Sequence, residues 1–198
     1  MQALHRSLFL VALLLCMSLA GCTSNDSSST ANNSMTEEEK QLPEWNVGQN
    51  WLYTFITPQF GEDSARLVVA EIDNGSGEYV LGISSEREAQ RHAVINHNPF
   101  LGRMTIDALA VYENGEPQKV FSFPWTVGDA WSFTLLGQQW DATTESLNNG
   151  NARVEAESSE GHELSYTFSG SKGFLERLVW RDGDGTIQLR MDLNIARS

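Results

Sequence analysis

The chain has 198 residues, with 13 Lys and Arg set against 26 Asp and Glu, for a formal charge of −13. A surface this acidic is repelled by nucleic acid and by anionic lipid headgroups, which excludes a nucleic-acid partner and adsorption of the whole molecule to an anionic bilayer. It is compatible with a cationic partner, and it keeps the protein in solution.

Residues 1–21 have the anatomy of a signal peptide: one basic residue (Arg6), an apolar stretch from Leu8 to Ala20 and a small-residue exit. The apolar stretch falls short of the ~20 residues a membrane span needs. The exit "LAGC", Leu19 to Cys22, resembles the lipobox of prokaryotic lipoproteins. That resemblance implies cleavage before Cys22, acylation of its thiol and an extracytoplasmic, lipid-anchored chain; an ordinary secretory signal with a chance Cys is the alternative. The one other cysteine, Cys16, lies in the signal, so the mature chain has no disulfide framework. Without the signal the formal charge becomes 12 − 26 = −14. Residues 22–41 comprise Cys22 and a Ser/Asn-rich segment too poor in apolar side chains to offset its ordering entropy, hence a linker with a reach of about 25 Å. Asn25, Asn32 and Asn74 stand in Asn-x-Ser sequons, which matter only in a glycosylating host.

From residue 42 to 198 the apolar positions alternate, which predicts a single all-β domain. Its opening "EWNVGQNWLYTF" returns eighty residues later as "PWTVGDAWSFTL". Further matches follow in order: Val80, Ser84, Ser85 and Glu86 with Val154, Ser158, Ser159 and Glu160, then Phe100, Leu101 and Arg103 with Phe174, Leu175 and Arg177. The expectation is a tandem duplication, with copies over about 45–123 and 125–195, each a short antiparallel meander. The first copy is assigned strands near 49–57, 64–72, 78–84, 89–96, 103–112 and 118–123. The stretch at 85–96 has the residue types of a helix, and only the correspondence makes it a strand. The second copy is assigned strands near 130–136, 139–146, 152–159, 163–169, 174–181 and 186–195. The last is the clearest, with Ile187, Leu189, Met191, Leu193 and Ile195 on one face. Turn signals at "DNGSG", "ENGEP", "NNGN", "GSKG" and "DGDG" separate these runs. Ten to twelve such strands in two similar halves must curl into a barrel-like sheet or split into two layers.

The chain offers little catalytic chemistry. Ser169 and Lys172 fit Ser-x-x-Lys but lie in a Gly-bracketed turn, so neither is assigned a catalytic role. Asp182, Asp184 and Thr186 have calcium-loop spacing, yet position twelve of that loop is Leu193, where a carboxylate is required; a tight turn explains the segment better. His92 and His97 lie on opposite faces of any strand, and His162 matches neither in the repeat, so no metal site and no cofactor is assigned. The aromatic pattern remains. Trp51, Tyr53, Phe55, Trp131, Phe133 and Leu135 either line a cavity for an apolar ligand or form the core of the sheet.

The two W-x-V-G-x-x-W-x-aromatic openings, with "GFLERLVWRDGDGTIQLRMDL" closing the second copy, resemble a family of prokaryotic surface lipoproteins. Its motif residues are structural, so the resemblance implies location and an all-β fold and no activity. In architecture alone the chain is also similar to lipoprotein-sorting and lipid-carrier proteins. The expected function is therefore a membrane-anchored extracytoplasmic binding module for an apolar or lipid-like small molecule. A structural or protein-interaction module of the cell envelope is the alternative, and a hydrolase the third reading.

Overall fold

The computed structural model describes residues 42–85 and 98–198. The signal peptide, Cys22, the linker, the strand assigned to 89–96, His92 and His97 lie outside the described residues. Twelve strands follow one another: β1 (Asn50–Thr57), β2 (Gly61–Asp73), β3 (Glu78–Ser85), β4 (Gly102–Thr105), β5 (Val111–Glu113), β6 (Glu116–Gln118), β7 (Ala130–Leu135), β8 (Gln138–Asn148), β9 (Asn151–Ser158), β10 (Glu163–Ser169), β11 (Phe174–Arg181) and β12 (Ile187–Arg197). No helix occurs among the described residues.

All twelve join one antiparallel sheet in the order β6-β5-β4-β3-β2-β1-β12-β11-β10-β9-β8-β7. Each half is a meander, and the halves are sewn together where the first strand meets the last, Trp51 opposite Ala196 and Phe55 opposite Met191. The sheet curls until its edges, β6 and β7, face one another. Side chains close the gap: Gln118 Oε1 accepts the Thr134 N–H at 2.9 Å, and Glu113 Oε1 accepts the Gly137 N–H at 2.8 Å. Alternate residues point inward and are apolar, as with Trp140 and Ala142 or Leu164, Tyr166 and Phe168, while Asp141, Glu155, Glu157 and Arg177 point out. Apolar-in and polar-out is the reverse of a barrel that faces lipid along its strands.

The repeated motif has a repeated geometry. In each copy its Val-Gly pair turns the chain, Gly48 at φ +89° and Gly128 at φ +86°, a conformation glycine alone adopts without strain. The Gln49 N–H closes the first turn on the Asn46 carbonyl, and the Asp129 N–H closes the second on Thr126. Gly48 N–H then donates to Val69, and Gly128 N–H to Thr144, each at 2.9 Å. Both acceptors sit at a bulge, between Val69 and Glu71 in β2 and between Thr144 and Ser146 in β8. The motif thus hooks the start of one strand onto a kink in its neighbour, twice.

Two expectations for the first copy are corrected. The strand assigned to 103–112 is two short ones, because the chain turns at Leu109, which has φ +50° and whose N–H bonds back to the Thr105 carbonyl. The strand assigned to 118–123 is absent beyond Gln118. There Val120 and Phe121 are consecutive and both fully buried, whereas a strand with one wet face buries only every second residue. This stretch is filling. Eight strands close on an interior that their own side chains fill, and twelve enclose more. Trp45, Phe100, Leu109, Val120 and Phe121, none of them in a strand, occupy the excess. In the sheet β4 pairs directly with β3, Glu78 opposite Thr105.

Candidate functional site

The residues singled out for a ligand cavity converge inside the barrel. Trp51, Tyr53, Phe55, Phe133 and Leu135 are buried in one core, and half-buried Trp131 packs against it. Two further rings, Phe174 and Phe121, organise them. Phe174 lies 5.0 Å from Trp51, 5.2 Å from Trp45, 5.6 Å from Phe100 and 6.3 Å from Phe121. Phe121 in turn lies 5.3 Å from Phe168 and 5.7 Å from Tyr166. Most of these contacts are edge-to-face or tilted, the arrangements that aromatic quadrupoles favour. Rings therefore occupy the volume in which an apolar ligand would sit.

Each copy also fastens the other by hydrogen bonds. From the first copy, Trp45 and Trp51 donate their indole N–H groups to the carbonyls of Gly173 and Lys172, both at 2.8 Å, and Tyr53 donates its hydroxyl to Leu175 at 2.6 Å. From the second, Tyr166 donates to Val120 at 2.5 Å. Burial pushes both phenols well above their ordinary range. The copies are not equivalent in this respect, since the indole N–H of Trp131 is buried without a partner.

Two polar clusters lie outside the aromatic core. The Asp182 carboxylate accepts N–H groups from Asp184 and Thr186 and the Gln188 amide, so its oxygens close the 182–186 turn. Those bonds, first that of Thr186, hold its pKa below the usual value. Buried Glu78 is held low chiefly by the Tyr112 hydroxyl, then by Ser76 and by Arg103, whose guanidinium is 3.4 Å away. Among the described residues no three His, Cys, Asp or Glu side chains come together as metal ligands. A carboxylate with a lowered native pKa stabilises the fold above its unfolded value of about 4 and ceases to as the pH falls through its native value. Melting temperature is thus expected to hold between about pH 5 and 8 and to drop below about 4. Glu78→Gln should flatten that acid limb in a calorimetric pH series, and an unchanged limb would show that Glu78 has no part in it. Above about pH 10 the buried phenols impose a second loss, because Tyr53 and Tyr166 ionise readily only after unfolding.

One recess differs from the rest. Grooves on the outer faces of β8 and β9 are acidic, such as one of about 550 Å³ among Glu145, Arg153, Glu155, Glu157 and Glu163, and a groove across β9 to β11 holds Arg153 and Arg177, both ion-paired. At the end of the barrel where the chain enters, a groove of about 370 Å³ lies between Pro43, Glu44, Gln49, the 170–173 turn and Arg197. The turn is rigid: Trp45 and Trp51 hold its carbonyls, and Gly170 packs so closely on the 148–151 turn that a Cβ there would lie 2.6 Å from the Gly150 carbonyl oxygen. Lys172 and Arg197 both line this groove, and neither is ion-paired with a described residue. Sequence reasoning noticed Lys172 only through a catalytic motif and missed Arg197, because neither alternation nor spacing reveals which cations lack a carboxylate. Phe121 was hidden in a stretch that reads as a strand. Comparison with protein-family profiles, with curated proteins and with solved structures finds no match to this chain.

Proposed function

We propose that this protein is a lipid-anchored extracytoplasmic module of the cell envelope, structural or protein-binding in role, rather than a carrier of an apolar small molecule. The filled interior carries this reading. The aromatic residues that could have lined a lipid cavity pack against one another, and Trp45, Phe100 and Phe121 add further rings to the same space. A carrier needs a concave apolar site of about 300 Å³ or more. The lipobox resemblance of Leu19 to Cys22 supports the anchor, and two or more acyl chains on one cysteine make a stable tether.

Native mass spectrometry of the protein extracted from its own membrane tests the role. A mature chain bearing only its covalent acyl groups is expected, and a stoichiometric non-covalent lipid would restore the carrier reading. Incorporation of labelled palmitate tests the anchor, and it should disappear in Cys22→Ser.

A further inference from the structure

We infer that the end of the barrel where the chain enters is a membrane-docking face, which seats lipid phosphates at Lys172 and Arg197 and dips four apolar side chains into the interfacial layer. This rests on the anchored reading above and goes beyond it, because a tether alone sets no orientation.

The observation behind it is a segregation. The large apolar residues left exposed among the described residues are Val47 (62 %), Val127 (56 %), Ile195 (44 %) and Leu147 (37 %). Topology brings all four to one end. Val47 is in the turn before β1, and Ile195 lies near the close of β12, where Asn50 pairs with Arg197. Val127 is in the turn before β7, and Leu147 lies near the close of β8, where Ala130 pairs with Thr143. The two halves agree in direction: β1 and β7 are six places apart in an antiparallel sheet and so run the same way. The turn 170–173, with Lys172, joins this end through the Trp51 indole and the Gly170 N–H to Gly150 carbonyl bond.

Scattered exposed apolar side chains are ordinary, and half-exposed ones such as Leu52, Ile56, Val68 and Val179 lie along the outer wall, but the four most exposed large ones all fall at one end, in two pairs set six strands apart around its rim. In both copies the motif places a valine at the tip of the turn, where the fold itself gains nothing from a β-branched apolar residue. Apolar tips at the same end as cations that have no ion pair among the described residues are the chemistry of an interfacial contact, the tips entering the headgroup boundary and the cations meeting phosphate. Glu44, Glu71, Asp73, Asp129 and Glu145 share this end and weaken the attraction. The formal charge also opposes adsorption of the free molecule. Docking is therefore a tethered event: a linker with a reach of about 25 Å holds the face at millimolar effective concentration over the bilayer, which populates a contact too weak to form from solution.

The mature chain has a single cysteine, so Cys22 can be coupled to a maleimide lipid in nanodiscs of phosphatidylcholine and phosphatidylglycerol. With methyl-labelled Val, Leu and Ile and a gadolinium-bearing lipid, the signals of Val47, Val127, Leu147 and Ile195 should broaden several-fold more than those of Leu136 and Ile187 at the opposite end. The pair Val47→Asp with Val127→Asp, or Lys172→Glu with Arg197→Glu, should abolish the difference while leaving the melting temperature within a few degrees. Even broadening over both ends, or stronger broadening at Leu136 and Ile187, would overturn the proposal. So would a photo-crosslinker at position 127 that captures protein instead of lipid in intact cells. Because the coupling is chemical, these outcomes do not depend on whether cells acylate Cys22, which palmitate labelling decides separately.

Discussion

Phe174→Ala is expected to destabilise the protein by about 3–5 kcal/mol, the range for truncating a fully buried Phe, and to lower its melting temperature by roughly 6–20 °C. The upper part of the range is favoured by what surrounds the ring. Trp45, Trp51, Tyr53, Phe100 and Phe121 all touch Phe174, and they belong to the first copy while it begins β11 of the second. Several of these neighbours cannot collapse into the space, since the indoles of Trp45 and Trp51 are pinned to the carbonyls of Gly173 and Lys172 and the Tyr53 hydroxyl to Leu175. A cavity that cannot relax keeps its full cost. Calorimetry on Phe174→Ala beside Thr167→Ala, a change on the outer face expected to stay within about 0.5 kcal/mol, is the measurement. A loss below about 1.5 kcal/mol for Phe174→Ala would mean that the interior rings repack freely.

Separating the copies should be more damaging still. Residues 42–123 and 125–198 resemble one another as half-barrels, yet neither is expected to melt cooperatively alone. The second half without the first loses Phe121, which holds Tyr166 and Phe168, and leaves the carbonyls of Lys172, Gly173 and Leu175 without their donors. It also exposes β12 as a new edge, whose register with β1 runs from Arg190 to Arg197. Mixing the two fragments should restore a transition. Dispersed amide NMR signals and a sharp melt from 125–198 by itself would refute this interdependence.

The second copy was legible almost to the residue, because most of its strands alternate inward apolar with outward polar side chains and β7 to β11 each end at a Gly-containing turn. The expected 163–169 and 174–181 coincide with β10 and β11. In the first copy the same reasoning worked for β1 to β3 and then failed, for a physical reason. From Gly102 to Trp125 the chain serves the volume of the barrel more than its wall, and a segment that fills space follows no period. "KVFSF" reads as alternation, yet Val120 and Phe121 are buried together and Tyr166 caps the Val120 carbonyl. The candidate site divides in the same way. Its aromatic members were visible as a repeated pattern, but whether rings line a cavity or fill it depends on residues such as Phe100 and Phe121 that arrive from elsewhere in the chain. The cationic groove had no linear signature at all, since Lys172 and Arg197 are brought together only by the pairing of β11 with β12 and of β12 with β1.

That pairing of the first strand with the last also imposes a timetable. A ribosome delivers β1 early, with β2 soon after to cover one of its sides, but the other side waits for β12, the final strand to be made. Thr54 meets Asn194 across 140 positions of sequence, and Trp45, Trp51 and Tyr53 find their acceptors only once residues 172 to 175 exist. Contacts this distant in sequence close slowly. A nascent chain therefore cannot close the sheet until β12 has emerged, and one side of β1 stays unpaired in the meantime.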